Sequence, residues 1–195
     1  MLSVGDSPDT MAILRVIKKK GKRIMEMKDN VLYFAKVKPT AIIPSRSEEN
    51  AGYDIYANFD SMENVRAMII GPFQTALVPT GIASAISNDW YLQVEERGST
   101  GSKGIKKSAG VIDASYRGEI FIAVTNINDK NLIITKDVDK VTITENAIEY
   151  PYSKAIAQLV LHRVHNEIPT EEITFEELQS IPSTRGTGSI GSSGK

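Results

Sequence analysis

The stretch GVIDASYRGEI, residues 110–120, decides how the rest of this chain is interpreted. It places two carboxylates, Asp113 and Glu119, beside the phenol of Tyr116 and the guanidinium of Arg117. A plain β-strand is built from apolar and β-branched side chains and needs none of these ionisable groups. The pattern therefore indicates a short hairpin that carries chemistry as well as structure.

Outward from this hairpin, the chain from residue 31 onward consists of short apolar runs separated by turn residues. Many short strands with regular turn signals favour an all-β sandwich or barrel. The one helical signal is TEEITFEELQSI, residues 170–181, where Thr170 is expected to cap the helix. An extended conformation is the alternative for that segment.

Composition separates the ends of the chain from its middle. Residues 1–30 form a basic N-terminal extension, expected to be a solvated hairpin or tail, with a contact site for nucleic acid or an acidic partner as the alternative. Residues 31–180 form the β domain, with an inserted hairpin near 130–150. Residues 181–195 form a Gly- and Ser-rich C-terminal arm, expected to be flexible until a ligand orders it.

The bulk composition excludes several function classes. The 195 residues carry a formal net charge of −1 and no cysteine. Disulfides, thiolate nucleophiles and cysteine-based zinc sites are therefore excluded. A nearly neutral charge favours neither direct nucleic-acid binding nor a membrane surface as partner. With no apolar run long enough to span a bilayer, we expect a cytoplasmic protein.

Two glycine-rich stretches are candidates for binding phosphate. ERGSTGSKG (residues 96–104) and RGTGSIGSSGK (residues 185–195) each combine cations with glycine and hydroxyl side chains. Glycines let backbone N–H groups approach an anion, and the cations and hydroxyls add donors. Neither stretch matches the P-loop or the dinucleotide fingerprint. A plain loop is the alternative for the first, and a linker for the end of the second.

Two carboxylates in apolar, β-like surroundings are the candidate catalytic groups. Asp54 lies in AGYDIYA (residues 51–57), and Asp113 lies in the opening stretch. Near phosphate, one carboxylate serves as general base for water, and another holds a hydrated Mg²⁺. A turn or capping role is the alternative for both.

Five motifs in this order resemble the trimeric dUTP pyrophosphatase (dUTPase) family: AGYDIYA, ERGSTGSKG, GVIDASYRGEI, AIAQLVL (residues 155–161) and RGTGSIGSSGK. The resemblance implies a jelly-roll-like β-barrel and a homotrimer with three sites at subunit interfaces. It also implies that the C-terminal arm closes over a neighbour's site. The implied reaction is hydrolysis of dUTP to dUMP and pyrophosphate with Mg²⁺, which limits uracil in DNA and supplies dUMP for dTTP synthesis.

The resemblance also assigns roles to residues. Asp113 becomes the general base for the attacking water, and Tyr116 packs beneath the deoxyribose. Backbone groups of Ala109 and Gly110 read the uracil edge, and Asp54 holds Mg²⁺ through water. The residues that it assigns to the phosphates are Arg97, Gly98, Ser99, Lys103 and Gln158. The arm residues that it brings to the nucleotide are Arg185, Ile190, Ser192 and Ser193. Arg117 and Glu119 are expected to be structural.

Three departures distinguish the chain from the family pattern. Gly98 follows Arg97 where the family has serine, so Ser99, Thr100 or backbone groups must serve the phosphate instead. Ile190 occupies the arm position where the family has an aromatic residue that stacks on uracil. The segment 128–154 is longer than in the family, and its residues alternate between apolar and polar as in an ordered β-strand.

The aliphatic Ile190 predicts a weaker lid over the base. Aromatic stacking contributes about 1 kcal/mol beyond area burial. We therefore expect Ile190→Phe to lower KM for dUTP in steady-state assays. An unchanged or higher KM would count against this assignment.

Two further functions stay open from the sequence alone. One is a dCTP deaminase of the same fold, which Tyr116 and the full arm disfavour. The other is a nucleotide-binding regulatory protein that acts on a partner through the insertion, with residues 1–30 as a second candidate surface.

Overall fold

The structure, a computed structural model, describes residues 16–19, 22–60 and 65–188. These residues fall into two units, one that ends at Val164 and one that begins at His165. The strands and sheets described below belong to the first unit.

Along the described residues the strands are β1 (Val16–Lys19), β2 (Lys22–Met25), β3 (Tyr33–Lys36), β4 (Gly52–Tyr56), β5 (Ala67–Ile70), β6 (Thr75–Pro79), β7 (Ile82–Ala85), β8 (Trp90–Glu95), β9 (Ile105–Lys107), β10 (Val111–Ile112), β11 (Phe121–Asn126), β12 (Asn131–Thr135), β13 (Thr142–Ile143), β14 (Ala147–Pro151) and β15 (Ala155–Arg163). The helices are α1 (Gly98–Gly101) and α2 (Phe175–Ser180).

One antiparallel sheet, with strand order β10-β8-β15-β4, carries four of the five motifs on its strands or directly beside them. Its ladder pairs Gln158 of β15 with Asp54 on one side and with Glu95 on the other. Cross-strand neighbours of this kind lie about 5 Å apart. The pairing therefore places residues from distant parts of the sequence side by side across the sheet.

The remaining strands that the structure describes form further ladders. Their orders are β6-β11-β9, β13-β14-β12-β5, β3-β7 and the N-terminal hairpin β1-β2. The sequence prediction of an all-β fold is confirmed, and the arrangement is compatible with a jelly roll. Closure of the strands into a barrel stays a prediction.

The core follows from the alternation of side chains along each strand. In β8, Leu92 and Val94 are buried while their neighbours are partly exposed. Burial of one such side chain contributes about 1.5–3 kcal/mol. The largest fully buried side chains are Tyr150, Phe59, Ile55, Ile70, Ile82, Leu92, Ile105, Ile120, Ile122, Leu132, Ile134 and Leu159.

The segment 128–154, where the sequence predicted an inserted hairpin, contributes three strands. β12 and β14 lie parallel to each other, and β13 pairs antiparallel with β14. Lys136 ties the segment to the core, because its Nζ lies 2.5 Å from the Asp60 carboxylate and 5.3 Å from the centre of the Phe59 ring. The hydrogen bond from Lys136 holds the pKa of Asp60 below its usual value.

The second unit contains helix α2. The helical prediction is confirmed as α2, but the N-cap is Thr174 and not Thr170. Thr174 Oγ1 accepts from the N–H of Glu177 at 3.2 Å, and Glu177 accepts from the N–H of Thr174 at 2.7 Å. Among the described residues, no helix has the length and apolar character needed to cross a membrane.

Candidate functional site

Asp54 and Arg97 form a bidentate ion pair at the edge of the sheet β10-β8-β15-β4. Arg97 Nε donates to Asp54 Oδ1 at 2.8 Å, and Nη2 donates to Oδ2 at 3.2 Å. Asp54 is fixed by the pairing of β4 with β15, and Arg97 lies two residues after the end of β8. About a third of each side chain is exposed, 34% for Asp54 and 30% for Arg97. The pair is therefore held in place and still accessible to a ligand.

The guanidinium of Arg97 has two further partners. Its Nη1 lies 3.3 Å from Ser99 Oγ and 3.5 Å from the carbonyl oxygen of Ala155. The same carbonyl accepts a 2.7 Å hydrogen bond from the Tyr150 hydroxyl. Burial raises the pKa of the Tyr150 phenol, so the phenol stays protonated and remains a donor at neutral pH.

The loop after Arg97 turns through α1. Thr100 Oγ1 accepts from the N–H of Arg97 at 3.1 Å and donates to its carbonyl at 3.0 Å. Lys103 Nζ donates to the Ser99 carbonyl at 2.9 Å. A Cβ built on Gly98 would meet no atom within 4 Å, so the backbone there is open to a ligand.

Two cavities share Asp54, Arg97 and Ser99 in their walls. The larger cavity, about 580 Å³, is also lined by Tyr56, Lys103, Lys140, Val141, Tyr150, Ser153, Lys154 and Ala155. The smaller cavity, about 480 Å³, is also lined by Glu49, Asn50, Ala51, Gly52, Gly98 and Gln158. The ion pair therefore stands where the two cavities meet.

Gln158 is held against the smaller cavity by its neighbours. Its Nε2 donates to the Glu96 carbonyl at 2.8 Å. A Cβ at Gly52, on the adjacent strand, would lie 2.9 Å from Gln158 Cβ. Real Cβ atoms do not approach so closely, so only glycine at residue 52 leaves Gln158 in this position.

We expect Gly52→Ala to displace Gln158 and to lower kcat/KM for the nucleotide substrate by roughly tenfold or more, because small misplacements of binding groups are costly. Gly101→Ala is the matched control, since its Cβ would lie 3.6 Å from the nearest side-chain atom, an ordinary contact. Steady-state kinetics of both variants measure the effect. Wild-type kcat/KM in Gly52→Ala would contradict the role given to Gln158.

The hairpin 109–120 is internally braced. Tyr116 hydroxyl donates to the Glu119 carbonyl at 2.8 Å, and Arg117 Nη1 donates to the carbonyls of Ala114 at 2.5 Å and Tyr116 at 3.0 Å. Asp113 is exposed. These contacts fix the Tyr116 ring and the turn while leaving the Asp113 carboxylate open to solvent.

Glu119 ties the end of this hairpin to the body of the fold. Its carboxylate accepts from the N–H of Gly81 at 2.8 Å and pairs with Lys38 Nζ at 3.3 Å. Gly81 has φ +67°, a conformation that favours glycine. The surroundings of Glu119 are those of a structural residue.

The structure brings together only some of the residues predicted for the site. Asp54, Arg97, Ser99 and Lys103 line the larger cavity, and Gly98 and Gln158 line the smaller one. No residue of the hairpin, including Ala109, Gly110, Asp113 and Tyr116, lines either cavity.

Of the predicted arm residues, the structure describes Arg185. Arg185 belongs to the second unit, where its Nε donates to the Gly188 carbonyl at 3.3 Å. Ile190, Ser192 and Ser193 lie outside the described residues.

Sequence reasoning missed the wall contributed by the segment 128–154. Lys140, Val141, Tyr150, Ser153 and Lys154 line the larger cavity. These residues lie in none of the five motifs, so the sequence did not mark them as ligand-binding residues. Only the alternation of apolar and polar residues before Tyr150 indicated a structured segment. Their position depends on the pairing of β12, β13 and β14.

The donor set at the ion pair suits a metal ion brought by a phosphate ligand. Within the ranges that the structure describes, no group of three or more His, Asp or Glu side chains could hold a metal. Asp54 is the carboxylate of the larger cavity, among the cations Arg97, Lys103, Lys140 and Lys154. Mg²⁺ keeps several waters and binds through one or two carboxylates plus substrate phosphates. The residues therefore fit Mg²⁺ held by Asp54 through water.

Comparison with known proteins gives one consistent family. The family model described as dUTPase matches residues 38–194. A deoxyuridine 5′-triphosphate nucleotidohydrolase of Mycobacterium marinum is 32% identical over 169 residues, 85% of this chain and 96% of the relative. The Mycolicibacterium gilvum protein of the same name is 30% identical over 167 residues, 84% of this chain and 94% of the relative.

Solved structures agree in fold. The dUTPase of Staphylococcus bacteriophage 80alpha, solved with dUpNHpp, has a TM-score of 0.61 and 25% identity, covering 85% of this chain and 99% of that one. The dUTPase of phage phi11 of S. aureus, described with a structural Mg(II) ion, has a TM-score of 0.57 and 21% identity. That match covers 75% of this chain and 99% of the phage protein.

Proposed function

The chain belongs to the dUTPase family and hydrolyses dUTP to dUMP and pyrophosphate, and we propose that the cavities on either side of Asp54 and Arg97 hold the triphosphate. The observation that carries this proposal is the fixed and accessible Asp54–Arg97 pair, which stands between a cation-lined cavity and a glycine-lined one. Guanidinium groups and open backbone N–H groups are the donors that phosphate oxygens require.

On this proposal, each residue at the phosphate end has a distinct task. Arg97 neutralises phosphate charge and is oriented by Asp54, Ser99 and the Ala155 carbonyl. The open backbone at Gly98 and the hydroxyl of Ser99 replace the serine that the family has directly after the arginine. Lys103 and the amide of Gln158 contact phosphates from opposite cavities.

We propose Mg²⁺ as the cofactor, held by Asp54 through water. When bound, the ion offsets negative charge on the phosphates of the substrate. One carboxylate among several cations is too few for a site built from protein alone, which favours an ion that arrives with the nucleotide.

The hairpin 109–120 supplies the other half of the reaction. Asp113 acts as the general base that takes a proton from the attacking water, and the Tyr116 ring lies beneath the deoxyribose. Backbone groups of Ala109 and Gly110 contact the uracil edge. The bracing of Tyr116 and Arg117 within the turn supports this assignment, because a general base needs a fixed position.

In a homotrimer, the hairpin 109–120 of one subunit acts together with the cavities beside Asp54 and Arg97 of another. The hairpin lines neither cavity of its own subunit, so we propose that it acts on phosphates held by a neighbouring subunit. The family model extends to residue 194, which supports including the arm. In the closed site Arg185 contacts the terminal phosphate, Ile190 covers the base, and Ser192 and Ser193 add donors.

The proposed role in the cell is to limit uracil incorporation into DNA and to supply dUMP for dTTP synthesis. The cytoplasmic location predicted from the sequence belongs to the same proposal.

Pyrophosphate release with Mg²⁺ from dUTP, dCTP, dTTP and UTP, measured in parallel, tests this function. We expect release from dUTP alone. Ammonia release from dCTP would instead identify a deaminase of the same fold. No pyrophosphate release from any of the four nucleotides would contradict the enzyme assignment.

A regulatory role through the insertion is the second candidate. Ile143 lies on the edge strand β13 with 58% of its surface exposed, and the unpaired backbone groups of an edge strand are available to pair with another chain. Mixing the protein with candidate partners, with and without a non-hydrolysable dUTP analogue, tests it. Binding that ignores the analogue would argue against a nucleotide-controlled regulator.

A further inference from the structure

The segment 128–154 supplies five of the residues that line the larger cavity. The wall formed by Lys140, Val141, Tyr150, Ser153 and Lys154 lines the same cavity as Asp54, Arg97 and Lys103. The five motifs contain none of these wall residues. The cavity that holds the Asp54–Arg97 pair is therefore built partly from the segment that distinguishes this chain.

The wall is anchored at several points. Lys140 and Val141 directly precede β13, whose Thr142 pairs with Glu149 of β14. Tyr150 is 1% exposed, and its hydroxyl bonds the Ala155 carbonyl that also contacts Arg97. The N–H of Lys154 donates to the Pro151 carbonyl at 3.0 Å, closing the turn between β14 and β15. The two lysines are thus carried on a fixed backbone.

The charges in this cavity are unbalanced. Four cations, Arg97, Lys103, Lys140 and Lys154, line it together with one carboxylate, that of Asp54. Arg97 already engages that carboxylate, and Lys103 Nζ donates to a backbone carbonyl. In the portion of the chain that the structure describes, the ammonium groups of Lys140 and Lys154 have no hydrogen-bond or ion-pair partner. Converging cations without counter-charges favour a polyanionic ligand.

The smaller cavity differs in charge. It contains Glu49 as well as Asp54, and Arg97 is its one cation among the residues that the structure describes. A ligand with several phosphates therefore meets most positive charge on the side of Lys140 and Lys154. The end of a triphosphate that carries the most negative charge is its terminal end.

We propose that Lys140 and Lys154 bind the terminal phosphates of dUTP and the pyrophosphate that the reaction releases. This inference rests on the proposed function of the cavities and assigns part of the substrate site to the segment 128–154. Lys140 and Lys154 are binding residues that discriminate a triphosphate from a monophosphate. The cavity, at about 580 Å³, has room for pyrophosphate and its hydration.

The test is direct binding of two ligands, measured by calorimetry. Inorganic pyrophosphate and dUMP are titrated separately into the wild-type protein, the double variant Lys140→Ala/Lys154→Ala and the control Lys130→Ala. Lys130 lies in the same segment 128–154, but its Nζ donates to the Thr144 carbonyl at 3.0 Å and it lines neither cavity. dUMP serves as the internal reference because it lacks the terminal phosphates.

We expect the double variant to bind pyrophosphate about tenfold more weakly, as the loss of two exposed charge contacts implies. Its affinity for dUMP, and both affinities of Lys130→Ala, stay within about twofold of wild type on the same reasoning. The variant Lys140→Arg/Lys154→Arg is expected to restore pyrophosphate binding. Steady-state assays of the alanine double variant are expected to give a higher KM for dUTP with kcat nearly unchanged.

Two outcomes would overturn the inference. Pyrophosphate affinity equal to wild type in the double variant would mean that the lysines are ordinary surface cations. Equal weakening of pyrophosphate and dUMP would indicate general damage to the site. The binding experiment needs no turnover, so a wild-type protein that binds pyrophosphate but does not hydrolyse dUTP would refute the proposed reaction and leave the lysine site standing.

Discussion

Replacing Asp113 with asparagine is expected to lower kcat for dUTP hydrolysis by about 10³-fold, within the range that general-base catalysis contributes. Asparagine keeps the shape of the side chain and removes only the capacity to take a proton from water. Binding of a non-hydrolysable dUTP analogue should therefore stay close to wild type. Pyrophosphate release measures the first effect, and calorimetry with the analogue measures the second.

Asp129→Asn is the matched control for this experiment. Asp129 is exposed and lines neither cavity, so the same loss of one carboxylate should leave kcat unchanged. An Asp113→Asn variant that keeps more than about a tenth of wild-type kcat would exclude Asp113 as the base, because general bases contribute more than this.

Replacing Arg97 with lysine is the second substitution with a large expected effect. Lysine keeps the charge but lacks the planar fork that contacts both oxygens of Asp54, Ser99 Oγ and the Ala155 carbonyl. We expect kcat/KM for dUTP to fall by about 10²-fold, the scale on which single stabilising donors act. Stability in urea should change little, because the ion pair is about a third exposed and exposed pairs contribute little to folding.

A second arginine provides the control for Arg97→Lys. Arg66 Nε donates to Asp137 Oδ1 at 2.8 Å, another Arg–Asp contact, and neither residue lines the cavities. Arg66→Lys should leave kcat/KM at the wild-type value. A similar loss in both variants, or full activity in Arg97→Lys, would contradict the role of Arg97 at the phosphates.

Much of the fold and part of the site follow from local sequence. Asp54, Arg97 and Gln158 lie on or directly beside strands that alternation reveals, so their motifs also locate them in the sheet. The sequence also contains the signal for the correct N-cap of α2, because Glu177 follows Thr174 by three residues and completes a capping box. The residue three positions after Thr170 is Ile173, whose side chain cannot form the corresponding hydrogen bond.

The rest of the site depends on contacts that no local pattern specifies. Lys140 and Lys154 reach the larger cavity because β12 and β14 pair in parallel and β13 folds back on β14. Parallel pairing joins residues across a connection whose register the sequence does not reveal. Similarly, the sequence does not reveal that Asp113 lies outside both cavities, because this depends on how the subunit folds. The proposal that a second subunit supplies the base therefore depends on locating the cavities first.

The central claim is that one subunit binds the phosphates while another supplies the base, and mixing two inactive variants tests it most directly. Arg97→Ala and Asp113→Asn are prepared separately, unfolded together in equal amounts, refolded and assayed for pyrophosphate release from dUTP. In a random trimer with shared sites, each mixed trimer regains one complete site, so about a quarter of wild-type activity is expected. Activity no higher than that of the separately refolded variants would show that each site is built within a single subunit and would contradict the account.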